Sequence, residues 1–160
     1  MKKKVAFLGI FLALALILSY VESLIPFYFG VPGMKLGLAN VSVVLLLYLV
    51  GAREALLVSM LRVILAGFLF GNAFSILYSM AGALLSFLVM FLLKHTEKFH
   101  VITVSAAGGI SHNLGQIAVA VCVVENYHLF LYFPLLMIAG MVTGVLIGVT
   151  ARELMLRIKI

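Results

Sequence analysis

A chain of 160 residues that is 66% hydrophobic and 10% charged holds more apolar side chain than a soluble domain of this size can hide. This excludes an ordinary soluble enzyme or binding module and points to an all-α, polytopic membrane protein, whose outer face lipid can cover. The formal net charge of +6 reads as a topology signal and not as a nucleic-acid surface.

In chain order, Lys2-Lys3-Lys4 followed by an apolar run to Tyr20 has the outline of a signal peptide. No small-x-small cleavage site closes that run, since Ser19-Tyr20-Val21-Glu22 follows, so the segment is read as a first span over 5–25. Within it Gly9 and Ala13 stand four apart, with Ala6 nearby, a spacing that lets a second helix approach closely. The loop Pro26 to Leu36 carries two of the three prolines, Gly30 and Gly33, and the interface-type aromatics Phe27, Tyr28 and Phe29. It reads equally well as a lid over a site and as a passive re-entrant connector.

A short second span follows over 37–51 and a third over 53–70. The charge-free run Val63 to Leu93 is too long for one crossing of about 20 residues. Gly71-Asn72 breaks it as a turn, which sets the fourth span at 73–93. Lys94 to His100 is a solvated turn, and the fifth and sixth spans are expected over 101–124 and 129–151. The sixth carries Gly140, Gly144 and Gly148, the same small-residue spacing as the first. One of these two stripes is expected to serve internal packing and the other a partner. The lone Cys122 permits no disulfide framework within the chain and is expected to be a small buried hydrophobe. The six spans form one domain, residues 1–160.

Orientation follows from the basic residues. With the N-terminus in the cytoplasm, Lys2, Lys3, Lys4, Arg53, Lys94, Lys98, Arg152, Arg157 and Lys159 all lie inside, and only Lys35 lies outside. Both termini of a multi-pass cell-membrane protein are then cytoplasmic.

Several polar residues interrupt these spans at a cost that usually reflects function. His112, Asn113 and Gln116 lie three and four apart on the fifth span and are expected to share one broad face. Arg62 falls near the middle of the third span, and Asn72 closes the same helix pair. Glu22, Lys35 and Asn40 gather at the outer ends of the first two spans. Together they predict a substrate pocket that opens outward, with Lys35 on its lid and an anionic or strongly polar ligand group as the partner of Arg62. The alternatives are interhelical hydrogen bonding and a structural Arg62–Glu22 pair. No second ligand near His112 in sequence suggests a metal. The chain has no Asp, hence no Asp-rich magnesium site for diphosphate chemistry, and no P-loop. No catalytic residue or cofactor is assigned, and any ATP-driven step must come from another protein.

Two stretches, Pro32-Gly33-Met34-Lys35-Leu36-Gly37-Leu38-Ala39-Asn40-Val41 and Gly108-Gly109-Ile110-Ser111-His112-Asn113-Leu114-Gly115-Gln116, resemble the Gx transporter family, often labelled heptaprenyl diphosphate synthase component I. That family is similar to the substrate-capture (S) components of energy-coupling factor (ECF) transporters. The resemblance implies a six-helix S-component-like bundle with the ligand near the outer face, under the loop after the first helix. It also implies a coupling module, a transmembrane coupling protein with two ATPases, docked on small residues of the first helix. Gly9 and Ala13 would be those docking residues, with Gly-x-x-x-Ala in place of the usual Ala-x-x-x-Ala. Three functions are therefore open: uptake of a small organic molecule from outside, a non-catalytic accessory role in heptaprenyl or polyprenyl diphosphate synthesis, and a membrane partner in quinone or flavin redox chemistry.

Overall fold

The computed structural model describes residues 2–25 and 37–157. Among them are six α-helices: α1 Lys2–Leu24, α2 Asn40–Leu49, α3 Ala52–Phe70, α4 Ala73–His95, α5 Val101–Val124 and α6 Phe133–Arg157, with a 3-10 helix Tyr127–Tyr132 before α6. The charge-free runs become helices because a helix satisfies its own backbone polar groups where water is absent. Polar side chains mark the breaks. Asn72 caps α4 by accepting the Ser75 N–H at 2.8 Å. His100 caps α5, and Asn126 caps the 3-10 helix by accepting the His128 N–H. Glu125, in the left-handed region at φ 53°, ends α5.

Several of the expected boundaries shift, most at the start of the second helix and at both ends of the sixth. The second helix begins at Asn40 and not at 37, because Gly37 adopts φ +87° and residues 38–39 form a turn. The start expected at 129 falls in the 3-10 helix; α6 begins at Phe133, with Pro134 in its first turn where a missing N–H costs nothing, and it runs on to Arg157.

Four segments are long and apolar enough to cross a membrane: α1, α4, α5 and the continuous run Tyr127–Arg157. The ten residues of α2 rise about 15 Å, half of a hydrocarbon core. This short helix is buried from Asn40 to Leu47 and packs against α1, α3 and α6. The nineteen residues of α3 carry Arg53, Glu54 and Arg62.

Helices α4, α5 and α6 pack backbone against backbone through glycines. A Cβ placed on Gly109 would lie 2.1 Å from the Gly140 carbonyl oxygen. One on Gly144 would meet the Ser105 carbonyl oxygen at 2.6 Å, and one on Gly115 the Ala81 carbonyl oxygen at 2.7 Å. Close approach of this kind is the usual means of helix association in lipid, where dispersion replaces the hydrophobic effect. Ser105 adds a hydrogen bond from its Oγ to the Gly144 carbonyl at 2.7 Å.

α1 leans on the bundle by one stripe only, Phe11, Ala15, Ser19 and Glu22. At one end of the molecule Lys4 pairs with Glu54, in the first turn of α3, and Lys94 donates to the Leu47 carbonyl while lying 5.0 Å above the Tyr48 ring. The ammonium thereby satisfies a free carbonyl at the C-terminus of α2. This is the basic end. Cys122, expected to be buried, is exposed on the flank of α5, because the glycine-rich side of that helix takes the interior.

Candidate functional site

At the end opposite the basic residues, four helices bring polar side chains together inside the bundle, and a fifth, α4, closes on them. The assembly starts at Gly37. Its positive φ is a conformation that a side chain would strain, and its amide donates to the Glu22 carboxylate of α1. The turn delivers Asn40 to the start of α2, where Asn40 Oδ1 accepts from Arg62 of α3 at 3.2 Å. Arg62 is only 3% exposed and also feels the Coulombic attraction of Glu22. The expected ligand anion is thus partly anticipated by the chain itself: the Asn40 amide oxygen accepts from the guanidinium, and the Glu22 carboxylate attracts it.

His112 of α5 closes the arrangement. Its ring stands 3.4 Å from the place a Gly37 Cβ would occupy, and 3.0 Å from that of Gly82 on α4. Gln116, one turn further along α5, has its Cγ 2.9 Å from the same Gly82 position. Glycine at 82 is what lets α4 and α5 close on these side chains.

The cluster is incompletely satisfied. Arg62 Nε, His112 Nδ1 and both amide atoms of Gln116 are buried without a hydrogen-bond partner among the described residues. The Oγ atoms of Ser19, Ser42 and Ser79 are in the same condition. A buried unpaired donor or acceptor costs about 1–3 kcal/mol. Buried polar groups of this kind are normally satisfied by a partner, by ordered water or by a guest.

The remaining expected site residues fall elsewhere. Asn72 is exposed and spent on the cap of α4. Asn113 turns away from His112 and Gln116: its Nδ2 donates to the Leu136 carbonyl of α6 at 2.7 Å and abuts Gly140. The shared face expected for the three α5 residues is therefore split, because one step along a helix rotates by about 100°, and Asn113 points to α6 while its two neighbours point to α4. Lys35 and the loop Pro26 to Leu36 lie outside the described residues. Gly37 and Gly82, which position the cluster, were not among the expected residues. Gly37 stood inside a motif that had been singled out, whereas nothing in the sequence separates Gly82 from other helical glycines.

Gly9 and Ala13 sit on the exposed side of α1, and a Cβ on Gly9 would meet no atom within 4 Å. Among the described residues no three His, Cys, Asp or Glu side chains gather as a metal site.

Residues 11–154, nearly the whole chain, match the family model described as heptaprenyl diphosphate synthase component I. No curated protein and no solved structure matches the chain.

Proposed function

This chain belongs to the heptaprenyl diphosphate synthase component I family, and we propose that it works as a membrane-embedded substrate-binding subunit for uptake of a small organic molecule. In this reading all six helices are seated in the membrane, both termini are cytoplasmic, and the Glu22–Gly37 end faces outward. A separate coupling module with two ATPases, of the energy-coupling factor kind, supplies the energy and contacts the Gly9–Ala13 face of α1. The observation that carries the reading is the buried cluster of Arg62, His112 and Gln116, whose unpaired atoms call for a guest at the end remote from the basic residues.

The test is ligand retention. Protein purified in mild detergent from the membranes of its own source should carry a small molecule that mass spectrometry identifies. Arg62→Gln should lower its occupancy about tenfold or more, equivalent to roughly 1.4 kcal/mol, well beyond any loss of stability from the weakened Asn40 and Glu22 contacts. Equal retention by Arg62→Gln would remove Arg62 from the site, and a protein that neither carries a small molecule nor binds one in dialysis would count against the whole reading. Topology is tested separately in a Cys122→Ser background, since Cys122 is exposed. A cysteine at Val31 should react with an impermeant reagent from outside and one at Thr96 should not; the reverse pattern would invert the orientation.

The family's description favours a second reading, an accessory subunit of prenyl diphosphate synthesis. The absence of Asp from this chain leaves it without the metal-binding carboxylates that diphosphate chemistry uses, so the role would be non-catalytic. Co-purification of a prenyltransferase in place of ATPases would select it.

A further inference from the structure

The identity of the unpaired atoms narrows the chemistry of the guest. Resting on the reading of the cluster as a ligand site, we propose that it takes an uncharged molecule bearing an N–H beside a C=O, such as a lactam, ureide or primary amide, and that Gln116 holds that edge. Gln116 is fully buried on α5, and neither Nε2 nor Oε1 has a partner among the described residues. A carboxamide presents a donor and an acceptor side by side in one plane. Its complement is an acceptor beside a donor, the arrangement of a cis amide edge.

A carboxylate or phosphate offers acceptors only. It would satisfy Nε2 and set a negative charge against Oε1. A hydrocarbon would leave both atoms unpaired, and discrimination against a guest lacking a required polar group is strong for that reason. The charge of Arg62 does not demand an anion, because Glu22 attracts it and Asn40 Oδ1 accepts from it. Among the five donors of the Arg62 guanidinium, the Nε–H is buried without a partner among the described residues, and it suits a second neutral carbonyl. His112 Nδ1, one helical turn from Gln116, supplies a further hydrogen-bonding atom to the same guest.

The full chain, purified from its own membranes, is compared with Gln116→Leu and Gln116→Glu by mass spectrometry of the extracted small molecules. In parallel, equilibrium dialysis compares uracil, which carries such edges without charge, with benzoate, a ring carboxylate. The expected result is a neutral amide-edged compound in the wild type, reduced tenfold or more in both variants at unchanged melting temperature. Uracil should bind at least tenfold more tightly than benzoate. A carboxylate or phosphate compound that both variants retain, but that Arg62→Gln releases, overturns the amide-edge assignment and leaves the site standing. If nothing co-purifies, the dialysis decides: uracil preferred upholds the assignment, benzoate preferred overturns it alone, and no binding of either overturns both it and the site. Should one Gln116 variant fail to fold, the other carries the comparison. If both fail, the wild-type dialysis decides.

Discussion

Two helices of this protein carry small residues at four-residue spacing, and the bundle treats them in opposite ways. Gly140, Gly144 and Gly148 on α6 are buried against Gly109, Ser105 and Ile102 of α5, so close that a single methyl group would collide with backbone. Gly9 and Ala13 on α1 face away from the bundle, with open space beside Gly9. The same spacing therefore marks a finished interface in one place and an unpartnered face in the other. The spacing licenses close approach but does not say who approaches. In α6 the answer is the next helix in the chain. In α1, whose buried stripe Phe11–Ala15–Ser19–Glu22 already serves the bundle, that face is left open, and under the proposed function the coupling protein would cover it.

Substitutions can break this contrast in graded steps. Gly109→Ala should have the largest effect, because its Cβ would lie 2.1 Å from the Gly140 carbonyl oxygen and neither backbone can yield locally. We expect a loss of about 3 kcal/mol or more, at the upper end of overpacking costs, read as a collapse of thermal stability in detergent. Gly37→Ala should come next, at about 1–2 kcal/mol for the forced left-handed conformation, and it should weaken ligand retention as well, since the Gly37 turn positions Glu22 and Asn40. Gly9→Leu should be the mildest for the isolated chain, within about 0.5 kcal/mol, yet it should abolish capture of the coupling protein in a pull-down. If Gly9→Leu destabilises the chain as Gly109→Ala does, the two stripes are alike and α1 is packed more closely than described. If it leaves capture intact, the partner uses another face.

Much of the fold was legible in the sequence because charge and turn residues punctuate an otherwise apolar chain. Gly71-Asn72 sets the boundary between α3 and α4 where expected, and Val101–Val124 matches the fifth span residue for residue. The start of α2 was missed because Gly37 sits in an apolar run and only its backbone angle reveals the turn. The fifth-helix residues were legible as a polar group but not as two groups, since sequence spacing does not tell which neighbour each side of α5 meets. Asn72 looked like a site residue because Asn in a membrane segment is costly; a cap removes that cost locally. Arg62, Asn40 and Glu22 did converge, through spacings in sequence that no local pattern encodes.

The contrast between spent and unspent polar groups is the centre of the account: Asn72 and Asn113 are paired within the chain, whereas Arg62 Nε, His112 Nδ1 and Gln116 are not. The most direct measurement is an experimental structure of the protein purified with its native small molecule, at a resolution that shows ordered water. The account predicts a bound molecule hydrogen-bonded to Gln116 and within reach of Arg62 Nε and His112 Nδ1, beneath the end that holds Gly37. A structure in which these atoms bond one another, or Ser19, Ser42 and Ser79, with no room for a guest, would contradict it and make the cluster interhelical packing.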